Sequence, residues 1–329
     1  MKKISKVIAA ALCVTMLPAV SACSNAGGNA SSGSGDVYNV GICQLVEHVA
    51  LDAATEGFKD ALKEKLGDNV KFNEQNAAGD TATCATIVDG FVSSGVDLIL
   101  ANATSPLQAA ASATTTIPIL GTSITDYATA LDESDWTGVT GRNISGTSDL
   151  APLTEQAAMV KELFPDAENV GLFYCSAEPN SKYQVDIVNE ELTSLGYKCE
   201  YFAFTDSNDI QTVAESAAAA SDVIYIPTDN TVAASTDIID NVCRPAGVPI
   251  IAGEEGICSG CGVATLSISY YDLGYTTGEM AYEILANGAD ITTMEIKYAP
   301  NVTKKYNAEI CEDLGITVPE GYEAIAEEE

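Results

Sequence analysis

Residues 97–111 read DLILANATSPLQAAA, and they decide the fold. DLILA is a short apolar run, too brief for a helix, and it reads as a strand buried on both faces. Asn102-Ala103-Thr104-Ser105 interrupts it with small and polar residues. Pro106 suits the first turn of a helix, which the small residues as far as Thr114 continue.

The same order of strand, polar loop and helix extends in both directions. Before it, 37–43 reads as a strand, 50–66 as a helix with Ala54, Phe58, Ala61, Leu62 and Leu66 on one face, 70–73 as a strand and 83–94 as a helix. After it, 118–121 is a strand. The rhythm then restarts, with helices at 152–164, 181–195, 209–220, 232–244 and 273–287. Strands fall at 169–174, 198–204, 222–226, 249–252 and 263–268. Alternation with near-continuous apolar strands predicts an α/β protein with parallel sheets covered on both faces. Two runs predict two doubly wound lobes, and 329 residues suit two lobes of roughly 130 residues each.

The formal net charge is −32. Such a surface repels phosphate backbones and anionic headgroups, which argues against nucleic acid or a polybasic membrane contact. Lys2, Lys3 and Lys6 precede Cys23, and no acidic residue does. Lys2-Lys3, the mainly apolar 4–20 and Val20-Ser21-Ala22-Cys23 together form the layout of a signal peptide. The last four residues resemble a bacterial lipobox. That resemblance implies removal of 1–22, a lipid on Cys23 and an extracytoplasmic protein anchored to the membrane. Residues 24–35 (SNAGGNASSGSG) follow as a flexible stretch, making 23–36 a tether. Ten cysteines occur in all. With Cys13 and Cys23 in the leader region, eight remain, either as partial disulfides or as small buried thiols.

In parallel α/β sheets, ligands bind beyond the C-terminal ends of the strands. The loops there are Gln44–His48, Asn102–Pro106, Thr122–Asp126, Cys175–Ser181, Pro227–Thr231 and Gly253–Gly256 by number, and they are rich in Ser, Thr, Asn, Asp and Glu. The chain has only two arginines, Arg142 and Arg244. Thr104 and Ser105 at a helix start suit a carboxylate. Asp126, Asp229 and Glu254 suit an ammonium, and Thr122 and Ser123 lie beside them. A zwitterion fits this mixture better than a phosphate. Each of these residues also fits the simpler role of helix cap.

At these loops the chain resembles ABC transporter substrate-binding proteins of the tryptophan/tyrosine type. The stretches that carry the resemblance are GICQLVEHVAL (41–51), NATSPLQAAA (102–111), GLFYCSAEPNS (171–181), YIPTDNTVA (225–233), AGEE (252–255) and SYYDLGYTTGEM (269–280). The resemblance implies a type I periplasmic-binding-protein fold with a multi-segment hinge and a ligand cleft. It carries over Gln44, Glu47, His48, Thr104, Ser105, Ser176, Asn180, Asp229, Asn230 and Glu254 as cleft residues. It places 37–143 with 271–298 in the first lobe and 144–270 with 299–320 in the second, while 321–329, ending in three glutamates, reads as an acidic tail. It also implies a small-molecule ligand; with no P-loop motif and no bilayer-length apolar run beyond the first 25 residues, a permease and ATPase are expected on separate chains, and a monomer is expected. The sequence departs from the family pattern at Val49, where a proline is usual, and at Cys43 and Cys175.

His48 is the only histidine, so paired-His zinc motifs are excluded and no metal is expected. Cys258-Ser259-Gly260-Cys261 is C-x-x-C without a second pair. There is no G-x-S-x-G elbow and no G-x-x-x-x-G-K, and no cofactor is expected. Binding is therefore expected rather than catalysis. The ligand expected first is an aromatic amino acid; a branched-chain amino acid, a nucleoside or a sugar stays open. A sensory lipoprotein of the same fold is the alternative function.

Overall fold

The computed structural model describes residues 37–299 and 301–326, which lie within one compact unit, Asp36–Glu329. The leader, Cys23 and the 23–36 tether lie outside the described residues. Strands β1 (Tyr38–Gln44), β2 (Val70–Asn76), β3 (Leu98–Asn102), β4 (Ile119–Ile124) and β5 (Ile144–Ser148) lead the chain. Strands β6 (Asn169–Cys175), β7 (Lys198–Phe204), β8 (Val223–Ile226), β9 (Ile250–Ala252) and β10 (Ala264–Ser267) follow. The short β11 (Lys297–Tyr298), β12 (Thr303–Tyr306) and β13 (Glu323–Ala324) close it. The first sheet is ordered β11-β5-β4-β3-β1-β2, and the second β13-β12-β10-β9-β8-β6-β7. All pairings are parallel except β10 with β12. This is the expected pair of α/β lobes.

The helices are α1 (Val49–Leu66), α2 (Thr81–Ser94), α3 (Thr104–Ala113), α4 (Tyr127–Leu131), α5 (Leu153–Leu163), α6 (Pro179–Ser194), α7 (Ile210–Ala220), α8 (Asn230–Ala233), α9 (Thr236–Ala246), α10 (Glu255–Cys261), α11 (Tyr270–Asn287) and α12 (Ala308–Asp313). They cover both faces of each sheet because the strands are apolar on both. In β3, Leu98 and Leu100 pack with Phe58, Leu62 and Met280, while Ile99 and Ala101 pack with Phe91 and Leu107. In β8, Val223 and Tyr225 face one core, and Ile224 and Ile226 the other. The strand period of two separates the two sets.

The chain passes between the sheets three times: between Ser148 and Leu153, between Ser267 and Tyr270, and between Tyr298 and Thr303. The first passage lies later than the expected boundary after residue 143, because β5 pairs with β4. Strand β5 reads ISGTS, and with one large apolar residue it leaves no hydrophobic run to recognise. Likewise β13 begins inside the expected tail, pairing Glu323 and Ala324 with Lys305 and Tyr306. Helix α11 returns to the first lobe and lies backbone to backbone against α1. A Cβ on Gly274 would stand 1.9 Å from the Ala54 carbonyl oxygen, and one on Gly57 would stand 2.1 Å from that of Tyr271. Among the described residues, no helix is long and apolar enough to cross a membrane.

Candidate functional site

The loops at the C-terminal ends of β1, β4, β5, β6, β8 and β9 converge between the lobes. They enclose a small polar cavity of about 10 Å3, lined by His48, Leu51, Ser123, Thr125 and Asp149 on one side and by Asn180, Thr228, Asp229, Asn230, Ala233 and Glu254 on the other, with Tyr270 at its edge. A larger cavity of about 750 Å3 lies alongside, between the N-terminal ends of α1 and α11 and helix α10, and shares His48, Ala233, Glu254 and Tyr270 with the first. The small one carries the converging polar groups, and volume alone does not make the larger one the site.

On the second lobe, the carboxylates are already engaged by backbone. Asp229 caps α8: its Oδ1 accepts from Val232 N at 2.9 Å and its Oδ2 from Cys175 N at 2.7 Å. Glu254 caps α10, accepting from Gly256 N at 2.7 Å and Ile257 N at 2.5 Å. Glu178, buried beneath them, accepts from Asn180 Nδ2, Asn230 N, Asn230 Nδ2, Thr231 N and Thr231 Oγ1 at 2.7–3.2 Å. Burial, reinforced by Glu178, pushes the Asp229 carboxyl up to about 7, and burial pushes Glu254 up to about 7.

The first-lobe side has open valences instead. Ser123 is buried in the left-handed region at φ 56°, rare for a residue with a Cβ, at an irregularity in the pairing of β4 with β5. Its hydroxyl has no hydrogen-bond partner. Asp149, just after β5, is 3% exposed. Its Oδ2 accepts from the Tyr270 hydroxyl at 2.9 Å, and its Oδ1 has no partner. Burial raises its pKa, and the hydrogen bonds of Tyr270 first and Thr125 second oppose the shift. His48 links the lobes, with Nε2 3.3 Å from Asn230 Oδ1. The Asn230 amide nitrogen donates to Glu178, so its oxygen faces His48 and the imidazole donates through Nε2–H. Burial lowers the His48 pKa, consistent with that neutral tautomer.

Of the residues the sequence singled out, His48, Ser123, Asn180, Asp229, Asn230 and Glu254 meet at the small cavity. Others are placed elsewhere. The Gln44 amide accepts from Thr55 Oγ1 at 2.6 Å and donates to Asp52 and the Val46 carbonyl. Glu47 is exposed on a groove outside α1. Thr104 and Ser105 are buried in the first turn of α3, with Ser105 on a groove of the far face. Thr122 joins Thr147 at 3.2 Å, and Thr147 joins Thr277 at 2.9 Å, inside the first lobe. Asp126 caps α4 by accepting from Thr129 N at 2.7 Å. Ser176 is exposed and donates to the Phe204 carbonyl at 2.9 Å. Gln44, Thr122, Asp126 and Ser176 are thus engaged by other groups of the protein, as polar side chains at strand and helix ends commonly are.

Sequence reasoning passed over Asp149 and gave Glu178 no role. Asp149 was hidden because its strand was not recognised; had β5 been read, the polar residue after it would have joined the other loops. Cys258 and Cys261 are buried free thiols in α10, and the eight cysteines among the described residues are all free. Among the described residues, no group of three or more His, Cys, Asp or Glu is arranged to hold a metal ion.

A family model described as ABC transporter substrate binding protein matches residues 39–329. The chain is 40% identical over 297 residues to the tyrosine-binding protein of Clostridioides difficile, covering 86% of this chain and 84% of that one. The ABC domain from Streptococcus pneumoniae solved in complex with L-Trp has a TM-score of 0.83 at 30% identity, covering 88% of this chain and 100% of that one. The ligand-free, open structure of a substrate-binding protein with adhesive properties from Clostridium difficile has a TM-score of 0.67 at 37% identity, covering 88% and 99%. The scores run against the identities, so the lobe arrangement here is nearer to that of the L-Trp complex than to the open form.

Proposed function

Because this chain belongs to the family of ABC transporter substrate-binding proteins, we propose that the solute it binds is an amino acid, tyrosine or tryptophan first, held between the lobes. The observation that carries the ligand class is the buried Asp149 carboxylate, which lines the small cavity and whose Oδ1 has no hydrogen-bond partner. A buried carboxylate oxygen is costly to leave unpaired, and an α-ammonium supplies both the charge and the donors it lacks. The Ser123 hydroxyl, likewise unpartnered, is the donor offered to an α-carboxylate. Asp126, Asp229 and Glu254 give way to Asp149 in the ammonium role: each caps a helix N-terminus, and Asp126 does not line the small cavity. The preference for an aromatic side chain rests on the relatives, one named tyrosine-binding and one holding L-Trp.

A cavity of about 10 Å3 has room for roughly one water. The solute therefore enters as the lobes part, and closure over it yields the form a transporter recognises. Proteins of this family are typically extracytoplasmic. Lipidation of Cys23, tethering through 23–36, a monomeric state, and a permease and ATPase on separate chains complete the reading. Replacing Cys23 by serine should end incorporation of labelled fatty acid and release the protein from membranes.

A thermal-shift screen of the purified protein against the twenty amino acids, common nucleosides and sugars tests the ligand class. A ligand at about 100 times its Kd stabilises by about 2.7 kcal/mol, which moves the midpoint by several degrees. Shifts with tyrosine or tryptophan support the proposal. Silence from every amino acid together with a shift from a sugar or nucleoside overturns it.

A further inference from the structure

Asp149 and Tyr270 sit on two different passages between the lobes. Asp149 follows β5 at the first passage, where its backbone N–H donates to the Ile124 carbonyl and the neighbouring Ser148 hydroxyl donates to that of Thr125. Tyr270 opens α11 just after the second passage. They are 121 residues apart in sequence, yet the phenol donates to Asp149 Oδ2 at 2.9 Å. Both side chains are buried, and both line the small cavity. The hydrogen bond occupies one carboxylate oxygen and leaves the other, Oδ1, without a partner.

We propose that Tyr270 is a positioning residue for ligand capture: its hydroxyl aims the Asp149 carboxylate into the cleft and thereby ties occupancy of the cleft to two of the three hinge passages. The inference rests on the ammonium-binding reading of Asp149. A cation arriving at Oδ1 is bound to a group braced from the second passage, so the ligand and the phenol hold the two passages in one arrangement. If the passages shift relative to one another as the lobes part, the phenol and the carboxylate separate, and the ammonium site loses its orientation. Affinity and closure are then two readings of one geometry. The titratable groups facing Asp149 are Tyr127 on α4, Tyr270 on α11 and Glu254 before α10, each an acid. None of them brings a positive charge, so ionised Asp149 has the phenol's hydrogen bond first, and that of Thr125 second, as its aid until the ligand arrives.

The test is a double-mutant cycle read by calorimetry with tyrosine and tryptophan across pH 4.5–8.5. Tyr270→Phe keeps the ring and removes the donor. It should weaken binding about tenfold or more, the worth of a hydrogen bond to a charged group. Because the lost donor favoured the ionised carboxylate, the acid limb of the affinity profile should move to higher pH. In an Asp149→Asn background the same change should alter affinity less than twofold. Replacing Tyr270 by 3,5-difluorotyrosine, a stronger donor of nearly the same shape, should move the acid limb to lower pH, and it serves if the phenylalanine variant folds poorly. Additive effects, or an acid limb that stays in place in both Tyr270 variants, overturn the inference. If the wild type binds neither amino acid, the ligand reading has failed; if it binds them and Asp149→Asn has no effect, the ammonium reading of Asp149 has failed, and the positioning role with it.

Discussion

The two walls of the cleft differ in how completely their polar groups are satisfied. On the second-lobe wall, Glu178, Asp229 and Glu254 spend their oxygens on the N-terminal ends of α8 and α10 and on the end of β6. On the opposite wall, Ser123 and Asp149 each keep a buried atom without a partner. A saturated network is rigid and presents a shape, whereas an unsaturated group costs free energy until something fills it. The contrast teaches that the acid-rich second lobe is the preorganised wall, and that recognition of charge falls to the first lobe and the passage after β5.

The sharpest way to break this division is Asp149→Asn. If Asp149 holds the ammonium, affinity for the amino acid should fall by roughly 2–5 kcal/mol, some thirtyfold to several thousandfold in Kd by calorimetry. Normal binding by this variant, with loss in Asp229→Asn, would move recognition to the other wall.

Glu178→Gln probes the saturated wall. An amide nitrogen would face donors that now meet a carboxylate oxygen, so the ligand-free protein should lose about 2–3 kcal/mol, read as a lower midpoint in urea. An unchanged midpoint would show that the network contributes little rigidity.

The same wall sets a pH dependence. Asp229 and Glu254 titrate near 7 in the folded protein, above the ordinary carboxylate range. For a carboxyl with a raised folded-state pKa, the unfolded chain ionises first. The contribution to stability is therefore full below the ordinary range and is lost as pH rises through about 7. Exposed Asp80 and Asp222, held low by backbone N–H groups, act in the opposite sense at lower pH but are screened by solvent. Unfolding free energy should fall by roughly 5 kcal/mol between pH 5 and pH 8, and Glu254→Gln should remove about half of that slope. A rise over this interval would contradict the assignment.

The smallest effect is expected at Ser123. Ser123→Gly relieves the left-handed backbone at φ 56° and should stabilise the ligand-free protein by up to about 1 kcal/mol, while weakening ligand binding severalfold through the lost hydroxyl. Gain of stability with undiminished affinity would assign Ser123 to the backbone bend alone.

The sequence by itself determined the alternation of strands and helices, the two lobes, and the loops that meet between them. Those features depend on local periodicity: DLILA is apolar on both faces whatever it packs against, and NATSP must interrupt it. Strand β5 escaped because ISGTS is buried by its position between β4 and β11 rather than by its own hydrophobicity. The sequence also supplied more polar candidates than the cleft uses, since Ser, Thr, Asn and Asp suit caps and ligands alike. Only the tertiary structure decided which of them are spent. Asp126, Asp229 and Glu254 each found a helix N-terminus within three residues, an outcome local sequence permits. Asp149 met Tyr270 from 121 residues away, and the remaining oxygen was left without a partner. Hydrogen-bond satisfaction is a property of the assembled neighbourhood, and this is why the ammonium site proposed here became visible only once the lobes and their passages were in place.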